Sequence, residues 1–326
     1  MTPTPRENLV LFGHKAAEQT FVDAEASGRL HHAWLLTGPQ GVGKATLAWR
    51  MARRLLAAGA DGNSLATPAV RRIVAGSHAD VLTLEREVDA RTKKLKRDVA
   101  VDQVRELAGF LHLTPAEGGW RVVVVDGAED MNRNSANALL KLLEEPPKRA
   151  VLLLTSDAPG RLLPTIRSRC RRLRLDGLSG GEMAAALRHL LPDQDEDARR
   201  ELALVADGAP GRAVELAEEG ALALATLVRS VLAAERIGVA RMHEVADQAT
   251  KGDTAFSTFM ELLQSGLGDA VRAAARGNGN AVAARRPLAE WGEVWHALGR
   301  LQSETERFNL DKRSAVIAGL ELLTGP

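Results

Sequence analysis

Gly38-Pro-Gln-Gly41-Val-Gly43-Lys44-Ala45 is the stretch from which the fold can be read. A working phosphate-binding loop has the pattern G-x-x-x-x-G-K-[ST]. Its glycines let backbone N–H groups wrap the phosphates, its Lys reaches the β/γ oxygens, and its hydroxyl ligates Mg²⁺. Gly38, Gly41, Gly43 and Lys44 are in place, but Ala45 stands where the metal ligand belongs. Thr46 is no substitute, because one step along a helix turns a side chain by about 100°. Such a loop needs a strand before it and a helix after it. The apolar run Ala33-Trp-Leu-Leu-Thr37 and the helically spaced residues 47–56 supply both, which sets the loop apart from a chance glycine-rich turn.

Working outward, residues 81–84, 122–125 and 151–154 are further short apolar runs, and 104–111 and 135–143 have helical spacing between them. Continuous apolar strands separated by helices predict a parallel sheet covered on both faces. An acid should close one of these strands to hold Mg²⁺, and Asp126 does so after Val122-Val-Val-Val125. The residue after it is Gly127, which cannot act as a base, and Glu129 falls too far beyond the strand to be expected at the same spot. Ala45 and Gly127 thus lack, in two separate motifs, the atoms for metal-assisted hydrolysis. Lys44 at a helix N-terminus still attracts anions. The expectation is weak ATP, ADP or phosphate binding without turnover, and no bound metal.

Composition narrows the class. At 326 residues, two or three domains are expected. A net charge of +1 leaves no global basic field for nucleic acid. The charged segment 85–98, with Arg91, Lys93, Lys94, Lys96 and Arg97, reads first as a solvated loop or hairpin. The single Cys170 excludes an internal disulfide and a cysteine-based zinc site. No apolar leader and no bilayer-length run is present, so a soluble cytoplasmic protein is expected, with no membrane partner. After residue 175 strand signals stop. Helical patterns at 182–191, 197–205 and 212–218 predict a small helical domain, and longer ones at 256–276 and 288–308, joined through the turn-forming Gly277-Asn-Gly-Asn280, predict a second. The expected boundaries give domains at 1–175, 176–220 and 221–326.

Three longer signatures carry a resemblance. Arg29-Leu-His-His-Ala-Trp-Leu-Leu-Thr-Gly-Pro-Gln-Gly-Val-Gly-Lys44, Asn134-Ser-Ala-Asn-Ala-Leu-Leu-Lys-Leu-Leu-Glu-Glu-Pro-Pro147 and Leu162-Leu-Pro-Thr-Ile-Arg-Ser-Arg-Cys170 resemble segments of bacterial clamp-loader subunits of the AAA+ class. The tail Asn309-Leu-Asp-Lys-Arg313 is similar to the ending of their helical collar, whereas 221–308 matches by helical character only. The resemblance implies an α/β P-loop AAA+ domain, a small helical lid and an all-α C-terminal collar domain. Motor subunits of that family keep Ser or Thr after the loop Lys and an acid after the strand Asp. This chain keeps neither, and so resembles the non-motor, delta prime-like type.

That likeness implies roles and partners. Arg169 of Ser-Arg-Cys would be an arginine finger offered in trans, since a planar, permanently charged fork suits phosphate oxygens. The bland alternative is a surface salt bridge beside Arg167, Arg171 and Arg172. Thr155 or Ser156 falls where the family places a γ-phosphate sensor, and Arg212 near its second sensor. Implied partners are the motor and delta subunits of the loader, with the sliding clamp and primed DNA reached through the complex. Many members carry a four-cysteine zinc module after the loop helix. This chain has no cysteine there, and Val70, Ile73 and Val74 are expected to hold that segment instead. His31 and His32 read as surface or capping residues, and Cys170 as a small buried one. Two other readings stay open: an active AAA+ ATPase motor of the same loader, and a nucleotide-binding scaffold outside replication.

Overall fold

The computed structural model describes residues 2–57, 62–88, 95–96, 98–117, 119–218, 222–252, 254–277 and 281–324. Most of the basic part of the 85–98 segment, most of the 277–280 turn and the boundary at 220–221 lie outside the described residues.

In chain order the elements are α1 (Lys15–Ala26), β1 (Ala33–Thr37), α2 (Lys44–Leu56), α3 (Pro68–Val74), β2 (Val81–Leu84), α4 (Val101–His112), β3 (Arg121–Val125), α5 (Arg133–Glu144), β4 (Ala150–Ser156), α6 (Pro164–Ser168) and β5 (Arg171–Arg174). Helices follow: α7 (Gly180–Leu190), α8 (Glu196–Val205), α9 (Pro210–Glu218), α10 (Leu222–Ala233), α11 (Val239–Ala249), α12 (Ala255–Ala275), α13 (Ala281–Arg285), α14 (Trp291–Phe308) and α15 (Lys312–Thr324).

The five strands form one sheet in the order β2-β3-β4-β1-β5, and every pairing is parallel. Parallel strands need helical crossovers, which cover both faces and make the strands apolar throughout. Alternation sorts their side chains. Trp34, Leu36, Val122, Val124, Val151, Leu153 and Leu173 face one core with residues of α1 and α2 and Ile73 of α3. Ala33, Leu35, Leu84, Val123, Val125, Leu152 and Leu154 face the other, with residues of α4, α5 and α6. Burying each such Val or Leu contributes about 1.5–3 kcal/mol. The fifth strand was not visible as a strand in the sequence: of Arg171-Arg-Leu-Arg174 only Leu173 is buried. Its edge position lets the arginines stay in solvent, and Arg171 lies over the Trp34 ring at 4.8 Å.

Local signals set the ends. Asn132 caps α5 by accepting from the Asn134 and Ser135 amides, and the buried Ser135 hydroxyl donates to the Val99 carbonyl at 2.7 Å. Ser179 and Glu182 form a capping box on α7. In the segment where zinc is absent from the sequence pattern, Ala69, Val70 and Ile73 are buried and Val74 half-buried. Arg53 of α2 is fully buried; its guanidinium donates to the carbonyls of Arg6 and Asn8, and burial pulls its pKa down to about 10.

Contacts group the chain into two compact units, 1–191 with 207–212, and 192–206 with 213–326. The first holds the sheet, α7 and the turn leading into α9. The second is helical, with α10, α12, α14 and α15 contributing Val228, Phe256, Phe259, Leu263, Leu298 and Leu320 to its interior. The segment 176–220, expected to stand as a lid, is shared: α7 groups with the first unit and α8 with the second. Among the described residues no helix is long and apolar enough to cross a membrane.

Candidate functional site

Register brings the sequence-predicted residues together. Val125 pairs with Leu154, and Thr155 with Leu36, so Asp126, Thr155 and the loop that follows Thr37 all lie where the strands end. Ligand sites of open α/β sheets form at that edge. The loop is shaped by its glycines. Gly41 has φ +73°, and a Cβ on it would lie 2.4 Å from the Arg212 amide nitrogen; its carbonyl accepts from the Gly211 amide at 2.8 Å. Gly43 caps α2, and the His14 Nε2 donates to the neighbouring Val42 carbonyl at 2.9 Å. Of Arg212, therefore, it is the backbone that abuts the loop.

Lys44 does not project from this cradle. Its side chain is 6% exposed, and its ammonium donates to the carbonyls of Gly38 at 3.1 Å and Pro39 at 2.6 Å and pairs with the Asp157 carboxylate. An ammonium has three donors, and all three have partners here. Asp157, just past β4, was not singled out from the sequence. Its backbone is held by Glu129, whose Oε1 accepts from the amides of Asp157 at 2.7 Å and Ala158 at 3.2 Å. Glu129 is thus committed to the end of β4.

Asp126 and Thr155 are joined. The Thr155 hydroxyl donates to Asp126 Oδ1 at 2.6 Å and accepts from the Gly127 amide at 3.0 Å. The proton that a γ-phosphate sensor would offer is spent on Asp126, and the pair staples β3 to β4. Ser156 is fully buried and its hydroxyl has no partner among the described residues. Gly127 is left-handed, at φ 70° and ψ 57°. A residue with a Cβ there costs about 1–2 kcal/mol, and the Cβ would lie 3.0 Å from Asp130 Oδ2. Position 127 is therefore shaped for glycine, not merely missing a carboxylate. Burial, with the Asp126 charge adding to it, pushes Glu85 upward; burial also raises Asp130, which Arg86 partly offsets at 3.0 Å.

Arg169 lies apart from all of these. Because Arg171 pairs with Trp34 and Arg174 with Thr37, Arg169 precedes the beginning of β5, at the sheet edge opposite the loop. Its guanidinium pairs with Glu144 at 3.0 Å and donates to the Thr165 carbonyl at 3.2 Å, with the side chain 37% exposed. The C-terminal end of α5 also receives the His32 Nε2, which donates to Leu143 at 3.1 Å; burial lowers the His32 pKa. A cation favours such a helix end. Cys170, beside Arg169, is partly buried, and burial pushes its thiol up to about 12, so it is no nucleophile.

A five-stranded parallel sheet with a glycine loop between β1 and α2 and an acid closing β3 defines the class: a P-loop α/β domain. The family follows from comparison. A model described as "DNA polymerase III, delta subunit" matches residues 13–179, just over half of the chain, and the chain belongs to that family. DNA polymerase III subunit delta′ of Pseudomonas aeruginosa is 42% identical over 194 residues, 58% of this chain and 56% of that protein. Subunit delta′ of Escherichia coli is 37% identical over 155 residues, 47% and 45% of the two chains. Subunit tau of Escherichia coli is 34% identical over 203 residues, 59% of this chain and 29% of that one. The chain thus spans about half the length of the delta′ relatives it matches.

Proposed function

We propose that this chain is the non-motor, delta prime-like subunit of a bacterial DNA polymerase III clamp loader, and that it supplies Arg169 to the ATP of an adjacent motor subunit. One observation carries the reading: the chain's two phosphate-directed cations sit at opposite edges of one sheet. β1 alone separates those edges by roughly 13 Å at about 3.3 Å per residue, which supports a role for Arg169 at a site other than its own. Its exposure is what a group acting in trans requires. Its own loop, without a hydroxyl at Ala45 or a carboxylate at Gly127, would bind nucleotide weakly and not turn it over. Together with motor and delta subunits the chain would form an assembly that opens a sliding clamp and places it on primed DNA, in the cytoplasm. The division into lid and collar at 176–220 and 221–326 belongs to the same proposal.

The test is DNA-stimulated ATP hydrolysis by the motor subunits reconstituted with this chain, wild type against Arg169→Ala, with the chain alone as control. A large loss on substitution with a silent control is expected. Equal rates would reject the finger, and an active control would reinstate the motor reading.

A further inference from the structure

We propose that the phosphate cradle of this chain is held shut from within: Asp157 occupies, as a built-in anion, the coordination that a bound polyphosphate would take from Lys44. Three observations on separate residues support this. The Lys44 side chain is 6% exposed and its ammonium is divided among the Gly38 carbonyl, the Pro39 carbonyl and the Asp157 carboxylate, so no N–H is left for an incoming oxygen. Asp157 is held in place by Glu129, which accepts from the backbone amides of Asp157 and Ala158. The loop itself is clamped, because the Gly41 carbonyl accepts from the Gly211 amide and neither glycine has room for a Cβ against the other's backbone.

A charged carboxylate on a nearly buried ammonium is the strong kind of hydrogen bond, and intramolecular attachment keeps its effective concentration high. A nucleotide diphosphate or triphosphate must displace it before Lys44 can turn to the ligand. Removing the carboxylate alone should therefore reopen the cradle. It should not restore hydrolysis, because Ala45 still offers no metal ligand and Gly127 no base. The inference concerns the chain's own loop and does not depend on the role of Arg169.

Calorimetric titration of the full-length chain with ADP, and separately with pyrophosphate, tests it, comparing wild type, Asp157→Ala, Asp157→Asn and the double variant Lys44→Ala/Asp157→Ala. Asp157→Asn keeps the shape and removes the charge, which guards against a folding defect in the alanine variant. The expected result is binding tighter by about tenfold or more in both single variants, lost again in the double variant. Equal affinity in wild type and both single variants would overturn the latch, whether that affinity is high or undetectable. So would tightening that survives loss of Lys44. Because no partner subunit is present, failure here leaves the Arg169 experiment unaffected, and failure there leaves this one standing.

Discussion

Lys44 and Arg169 are the two cations on which the proposed function turns, and the fold holds them in opposite ways. Lys44 is nearly buried, at the edge where the strands end, with each of its donors engaged by the chain's own carbonyls and Asp157. Arg169 is over a third exposed, at the edge where the strands begin, with one carboxylate partner, Glu144, that is itself half exposed. An exposed pair of this kind is worth about 0–1 kcal/mol, so Arg169 can leave Glu144 at little cost. Lys44 would have to break a set of charge-assisted bonds. The lesson is that a recognisable motif and an exposed group are different things: the loop lysine is engaged within the chain, and the surface arginine keeps over a third of its side chain in solvent.

The comparison breaks most readily at Arg169. Arg169→Ala should lower DNA-stimulated ATP turnover of the reconstituted assembly by roughly 10³ or more, the scale of arginine fingers in phosphoryl transfer. Arg169→Lys should recover only part, since a point charge cannot reproduce the planar fork. A loss below tenfold in the alanine variant would remove the contrast between the two edges. The chain's own denaturant midpoint should stay unchanged in both variants.

Gly41 sharpens the opposite edge. A Cβ at φ +73° and 2.4 Å from the Arg212 amide must displace either the loop or the turn before α9. Gly41→Ala should cost about 2–4 kcal/mol in equilibrium urea unfolding. A midpoint equal to wild type would mean that the loop is not clamped against Gly211 as described.

Glu144 offers a smaller effect. Glu144→Gln should change stability by less than about 1 kcal/mol and leave the ATP turnover of the assembly at or above wild type. A fall as large as that of Arg169→Ala would make Glu144 part of the working group and not a resting partner.

Cys170 gives the smallest effect at neutral pH. Its folded thiol titrates at about 12 against a usual 9.0. Between those values the folded chain holds a proton that the unfolded chain has released, so stability falls as pH rises above 9 and is unaffected below it. Alkylation of the native chain by iodoacetamide at pH 8 should be far slower than that of the urea-unfolded chain; equal rates would show a thiol open to solvent beside Arg169.

Much of this was legible in advance. Strand β1 begins and ends where its apolar run does, and Gly38, Gly41, Gly43, Lys44, Asp126 and Thr155 come together because the loop pattern and the strand ends are local features. Several short elements escaped, β5 and α1 among them. The charged β5 carries one buried residue, and α1 buries only Phe21 and Ala24, so neither shows a periodic stripe. Asp157 and Glu129 escaped for another reason. Each looks like an ordinary polar residue past a strand, and their partners lie 28 residues or more away in sequence.

By itself, then, the sequence determined four of the five strands, the phosphate loop, the lack of a hydroxyl at Ala45 and of a carboxylate at Gly127, and the family signatures. Those depend on periodicity and on residue types at fixed spacing, which short-range chemistry dictates. Only the tertiary structure decided that Lys44 is closed off by Asp157, that Thr155 gives its proton to Asp126, that Gly127 is shaped by its backbone, and that Arg169 stands at the far edge. These follow from strand order and register, which place β1 beside β4 and β5 and so fix which distant side chains meet. Hydrogen bonds act over about 3 Å, and spacing along the chain says nothing about distances of that size across a sheet.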